Sequence, residues 1–278
     1  MKFTVMTLFP EQVSSFLMTS ITGRAMKSGI IDLTTVHIRD YCQNRYGKVD
    51  DTMYGGGTGL LMQCEPVYRA YEDICASHPG EKIHTIYLSP KGTVFDQKKA
   101  IELSKRPHVN LLCGHYEGID QRVLDRIVDE EISIGDFVLT GGEIAACVII
   151  DAVSRMIPGV LPDASAYENE SHMDGVLEAP QYTKPECWDS RRVPEVLMSG
   201  HHEKIREWKH RMSLYETWIR RPDLFAKLSP TREDWMFLLE EYRKNSSKIA
   251  DNQIKPNVPE SVIPTPSDSS ENAASKLS

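Results

Sequence analysis

The strongest constraint on this chain is an alternation: up to Pro158, short β-forming runs trade places with segments of helical period. Phe3 to Leu8 reads as a strand, Glu11 to Lys27 has helical spacing and stops at Gly29, and Ile31 to Ile38 is a second strand. Ile83 to Leu88 and Val109 to Cys113 read as further strands, with helices over Asp96 to Lys105 and Gln121 to Ile127. A strand around Phe137 and a long apolar helix from Gly142 to Met156 complete the series. Strands separated by helices pair in parallel and are covered by those helices, so the expected class is α/β around a mostly parallel sheet.

After Pro158 the texture changes. Leu161 to Asp174 is small, polar and acidic, without period, and reads as a linker. A second, smaller domain follows, with helices over Glu203 to Arg221 and Thr231 to Lys244; Ser229-Pro230 resembles an N-cap with proline in the first turn. From Lys248 onward Pro256, Pro259, Pro264 and Pro266 stand among Ser, Asn and Asp, which leaves almost nothing to bury, and that tail is expected to be disordered. The expected organisation is a domain over 1–160, a linker over 161–175, a helical domain over 176–247 and a tail over 248–278.

Charge and composition exclude several classes. A net charge of −8 argues against indiscriminate coating of nucleic acid, which requires neutralising many phosphates, but leaves room for a local basic face. No run is long and apolar enough to span a bilayer, and the opening residues lack the pattern of a signal peptide, so the expectation is a cytoplasmic protein that does not engage a membrane. Cys42, Cys64, Cys75, Cys113, Cys147 and Cys187 are scattered singly, without the close pairs of zinc or redox motifs, and are expected to be free thiols.

Three glycine-bearing segments stand out: Tyr54 to Gly59, Gly114 to Gly118 and Ser133 to Gly142. Glycine permits close approach of backbone to a ligand, and equally makes plain tight turns. Neither the P-loop nor the dinucleotide fingerprint is present. The second and third segments nevertheless fall at strand ends of one expected parallel sheet, where α/β proteins bind ligands. Glu117 then stands beside flexible backbone, either as a solvated charge or as a carboxylate facing a substrate.

Arg155 ends the apolar helix, where the macrodipole alone would favour a cation. Glu168, Glu170, His172 and Asp174 have loop spacing that suits acidic solvation better than metal binding, and no metal ligands are assigned. On the helix Glu203 to Arg221, Lys204, Arg206, Lys209, Arg211, Arg220 and Arg221 outnumber Glu203, Glu207 and Glu216, with Trp208, Tyr215 and Trp218 interleaved. Such a face either tracks an RNA backbone or is a solvated surface over buried aromatics.

Taken together, Thr7 to Pro10, Val49 to Gly57, Tyr87 to Pro90, Cys113 to Asp120, Ser133 to Glu143, Asp151 to Val160 and Val196 to His202 closely resemble, in order and spacing, the bacterial tRNA (guanine-N1)-methyltransferases of the TrmD type. The likeness runs from Met1 to about Tyr242. It implies a SPOUT methyltransferase domain over 1–160, with a deep trefoil knot that general chain rules would not have suggested. It also implies a helical tRNA-binding domain over 176–247. By the same resemblance Leu88, Gly114, Ile134, Gly135, Asp136, Phe137, Val138, Leu139 and Gly142 are cofactor contacts for S-adenosylmethionine. The implied partners are tRNA and a second copy of the chain, since the family acts as a homodimer whose pocket is completed by the linker and C-terminal domain of the other subunit.

The implied reaction methylates N1 of the guanosine 3′ of the anticodon, position 37. That nitrogen must lose a proton, so a base near N1 and a cation near O6 are needed. The family's arginine matches Arg155. Its base is an aspartate followed by serine, and the residue before Ser171 is Glu170, a departure that adds a methylene; Glu168 and Asp174 are the alternatives. Glu117, from its place beside flexible backbone where a carboxylate could meet a substrate amine or ribose, completes the candidate catalytic set, and magnesium accompanies the family's reaction without identifiable ligands here. The rival readings are a SPOUT methyltransferase acting on ribose 2′-hydroxyls or ribosomal RNA, and a catalytically silent RNA-binding protein of the same fold.

Overall fold

The computed structural model describes residues 1–43, 45–56, 59–162 and 170–249, the last four by backbone alone. Residues 163–169 of the expected linker, Glu168 among them, most of the tail, and two residues of the first glycine segment, Gly57 and Thr58, lie outside the described residues. The chain divides into two compact units, Met1–Tyr167 and Glu168–Ser278.

The first unit is built on five parallel strands, β1 (Lys2–Thr7), β2 (Asp32–His37), β5 (Ile83–Val94), β6 (His108–Cys113) and β7 (Glu130–Ser133), in the order β2-β1-β6-β5-β7. A small antiparallel ribbon, β3 (Asp50–Thr52) with β4 (Leu60–Met62), lies outside the sheet. Alternation along each strand sends its side chains to two separate cores. Phe3, Val5, Ile86, Leu88, Val109 and Leu111 pack with α1 (Pro10–Leu17), α2 (Ser20–Lys27), α4 (Gln97–Leu103) and α6 (Glu143–Ser154) on one face. Met6, Tyr87 and Leu112 pack with α3 (Cys64–Ser77) and α5 (Gln121–Ile127) on the other. Burial of such side chains contributes about 1.5–3 kcal/mol each. The sheet is covered on both faces, and accordingly β6 is buried at every position and β1 at every position after Lys2, including Thr4, Thr7, His108 and Asn110.

Several expectations are corrected. Glu11 to Lys27 is two helices, because Ser20 adopts φ 53° and the Thr19 and Thr22 hydroxyls donate to the carbonyls of Phe16 and Leu17, competing with the backbone ladder. The strand expected around Phe137 does not form: β7 ends at Ser133, whose hydroxyl bonds the Gly135 carbonyl, and Gly135 turns the chain at φ 146°. Phe137 is then 53% exposed.

In the second unit, α8 (His202–Arg220) packs Met212, Tyr215 and Trp218 against Phe225 of α9 (Pro222–Phe225) and Trp235 and Leu238 of α10 (Arg232–Ile249). Short elements precede them: the ribbon β8 (Cys187–Trp188) with β9 (Arg191–Arg192), and α7 (Glu195–Met198). Trp218 and Trp235 meet edge to face at 5.6 Å. The cap of α10 is Thr231 rather than Ser229: Thr231 and Asp234 exchange side-chain to backbone bonds, a capping box with aspartate in the third position.

Candidate active site

The C-terminal ends of β5, β6 and β7 open into a cavity of about 230 Å³. Its walls are three segments: Tyr87 to Pro90, where β5 shifts register against β7 between Leu88 and Thr93, Gly114 to Gly118 after β6, and Ile132 to Gly142, from the end of β7 to the start of α6. Parallel strands place these loops side by side because all their C-terminal ends point the same way. The loops are tied by backbone: Gly142 N–H donates to the Gly114 carbonyl at 3.2 Å, and Phe137 N–H to that of Gly135 at 2.9 Å. At Gly142 a Cβ would stand 2.7 Å from the Cys113 Cα, so only glycine lets the start of α6 approach the end of β6 this closely.

The lining mixes apolar side chains, glycine backbone and a few polar side chains, Ser89, His115, Glu117 and Thr140 among them. Leu88, Ile134, Phe137, Val138 and Leu139 offer apolar surface, and the glycines leave N–H and C=O groups accessible, a combination that holds a flat heteroaromatic ring with directional bonds along its edge. Tyr87 stands at the floor, and burial with help from Glu131 pushes its phenol up to about 12, so it remains a neutral wall.

Beneath the Gly114 loop lies a polar cluster. Glu143, 2% exposed at the first turn of α6, accepts from the Thr7 hydroxyl at 2.5 Å and from His115 Nε2 at 2.9 and 2.8 Å. His115 also packs on Phe9, ring centroids 4.8 Å apart. Glu117 N–H donates to the Leu60 carbonyl, and its side chain lies against Gly59, which brings the end of the first glycine segment up to the second.

A family model described as tRNA (guanine-1)-methyltransferase TrmD matches residues 1–227. The chain belongs to this family. A protein named tRNA (guanine-N(1)-)-methyltransferase from Ruminiclostridium cellulolyticum is 52% identical over 228 residues, 82% of this chain and 97% of that one. Proteins of the same name from Moorella thermoacetica and Clostridioides difficile are 46% identical over 248 residues and 48% identical over 227. The first pairing covers 89% of this chain and 99% of the relative, the second 82% and 98%.

For a TrmD-family chain the placement of the nominated residues is informative. Leu88, Gly114, Glu117, Ile134, Gly135, Phe137, Val138, Leu139 and Gly142 all border the cavity, whereas Asp136 is exposed and does not. Arg155 does not border it either. It caps α6 at the end opposite Gly142, and the twelve residues of helix between them put roughly 20 Å between the two. Glu170 belongs to the second unit, where it lines a cleft of about 450 Å³ with Asp174, Glu178, Arg206, Lys209 and His210. On α8, Tyr215 and Trp218 are buried, so they are core, not stacking platforms; Lys204, Arg206, Lys209 and Arg220 are exposed cations, the last paired with Glu216. Thr7, His115 and Glu143 escaped attention as a working set, because their partnership spans separate segments; their presence in Thr7 to Pro10, Cys113 to Asp120 and Ser133 to Glu143 was the available signal.

Proposed function

We propose that this chain transfers the methyl group of S-adenosylmethionine to N1 of guanosine 37 in tRNA, within the cytoplasm and as a homodimer. The observation that carries the reading is the cavity itself: in a TrmD-family chain, all three glycine-bearing or prolyl loops expected to hold the cofactor converge on it. The trefoil knot implied by the resemblance belongs to the same proposal, since it would hold these loops against one another.

S-adenosylmethionine supplies an electrophilic methyl on a sulfonium centre. The chain must orient guanine, take its N1 proton and stabilise charge at O6. Arg155 is the cation for O6 and Glu170 the base for N1, with Glu117 at the cavity rim positioning substrate. Misplacement by about 1 Å costs on the order of a hundredfold in rate, so the loop bearing Glu170 must adapt to its extra methylene. Magnesium finds only one exposed carboxylate at the cavity among the described residues, Glu117, because Glu143 is engaged by Thr7 and His115. That does not amount to a metal site, and the chain's own groups carry the mechanism.

Dimerisation is supported by α6. Ile144 is 60% and Val148 44% exposed, and with Asp151 and Arg155 they form one row at helical spacing along the outside of the helix. A two-fold axis across this row would run two α6 helices antiparallel, bringing Arg155 of one copy to the cavity end of the other. That arrangement removes the roughly 20 Å separation within one chain. Exposed Lys204, Arg206 and Lys209 on α8 are the groups for the RNA backbone.

The test uses two transcripts of one tRNA carrying guanosine or adenosine at position 37, labelled S-adenosylmethionine and nucleoside analysis. The reading predicts 1-methylguanosine from the first transcript and no transfer to the second. Label in a ribose 2′-hydroxyl, or none despite cofactor binding, contradicts it.

A further inference from the structure

At the end of β6 opposite the cavity, His78, Glu81 and His108 each contribute one potential ligand atom, with all three atoms within 4.8 Å of one another. His108 opens β6, and His78 and Glu81 lie on the link between α3 and β5. Six residues of β6 separate this cluster from Gly114, roughly 20 Å, so it is no part of the methyl-transfer cavity. Neither sequence spacing nor the family resemblance pointed to it. We propose that His78, Glu81 and His108 form a site for a divalent transition-metal ion.

The imidazoles are already held as ligands are held. His78 Nδ1 lies 3.0 Å from the Ile74 carbonyl, which only accepts, so Nδ1 carries the proton and Nε2 presents its lone pair. His108, fully buried, has Nε2 2.9 Å from the Thr4 hydroxyl on β1 and Nδ1 3.2 Å from Glu81 Oε2. A hydrogen bond from the non-ligating ring nitrogen to a carbonyl or hydroxyl is the usual support of a metal-bound histidine. The two rings stand 4.7 Å apart at 70°, edge to face. Lys2 bonds Glu81 Oε1, leaving Oε2 as the ligating oxygen and the ammonium as its outer partner.

Two histidines, a carboxylate and solvent in the remaining position match zinc and other metals of the imidazole-preferring series, and exclude the oxygen-seeking magnesium and calcium. Tetrahedral zinc with bonds of about 2 Å needs ligand atoms about 3.4 Å apart, so the widest separation must contract by up to about 1.4 Å. His78 and Glu81 can supply that movement because they lie outside the strands and helices and are solvent accessible, Glu81 35% by side chain. Bound there, the ion would clamp the end of α3 to β1 and β6.

The test is calorimetric titration of the untagged, chelator-treated full chain with Zn2+, and of Co2+ followed by its visible absorption. Expected is one zinc per chain at this site, a tetrahedral cobalt spectrum, and a loss of at least tenfold in affinity in both His78→Ala and Glu81→Gln. Those two variants avoid the buried His108 and should keep the methyl-transfer activity of the unsubstituted chain. No binding, or binding undiminished in both variants, overturns the proposal.

Discussion

His115 Nε2 lies 2.9 and 2.8 Å from the two carboxylate oxygens of Glu143, a side chain that also accepts from the Thr7 hydroxyl. Because a carboxylate only accepts, Nε2 must donate, which fixes the ring and with it the Gly114 to Gly118 loop against the start of α6. Glu143→Ala strands both donors. The expected cost is about 1–3 kcal/mol for each buried group left unpaired, read as a lower unfolding midpoint, together with weaker cofactor binding. Glu143→Gln, which retains the length and one acceptor, should lie between the two.

Among the glycines lining the cavity, Gly142 is the one pressed most closely against backbone. Gly142→Ala would push a methyl to 2.7 Å from the Cys113 Cα, which is backbone and cannot swing away. Overpacking of this kind costs about 1–3 kcal/mol. Since the strain falls on a wall of the cavity, S-adenosylmethionine affinity should drop by at least tenfold in an equilibrium titration, a loss larger than the change in stability alone would suggest.

The cysteines should divide sharply by reactivity. Cys187 is exposed, whereas Cys113 and Cys147 are buried. Burial raises the Cys113 thiol well above its ordinary value and that of Cys147 to about 11. The thiolate is the nucleophile, so alkylation of the native chain at neutral pH should modify Cys187 first and leave Cys113 and Cys147 untouched until the protein unfolds. Peptide mass mapping after timed labelling reads this directly.

Tyr87 sets an alkaline limit. Its phenol is raised to about 12 in the folded chain, against about 10 when unfolded. A raised folded value means that the native state keeps the proton longer, so this contribution to stability is complete below about pH 10 and is lost as pH rises toward 12. Denaturant midpoints measured across that window should fall for the natural chain and fall less steeply for Tyr87→Phe.

The parallel sheet was legible because β-forming runs such as Phe3 to Leu8 and Val109 to Cys113 trade places with segments of helical period, and because glycines marked two of the segments that line the cavity. What escaped were features decided by side-chain competition or by distant partners. The break at Ser20 depends on Thr19 and Thr22 hydroxyls, and the fate of Phe137 on a turn made by Ser133 and Gly135. The short strand Glu130–Ser133 carries two glutamates and looks polar, while α3 was passed over although Val67, Ala70 and Ile74 recur at helical spacing. Among the site residues, the cavity wall followed from strand ends, but the distance of Arg155 from it did not, because only the straight run of α6 reveals that one chain holds the cavity and the arginine at opposite ends.

That separation makes subunit complementation the most direct measurement. Arg155→Ala and a cavity variant such as Gly142→Val, each inactive alone, are mixed under conditions that exchange subunits, and methyl transfer to tRNA is assayed. If Arg155 serves the cavity of the other copy, each mixed dimer regains one intact site and the mixture recovers about a quarter of the natural activity, half of its dimers being mixed with one working site of two. If Arg155 serves its own chain, no dimer contains an intact site, and continued inactivity of a demonstrably exchanged mixture would contradict the account.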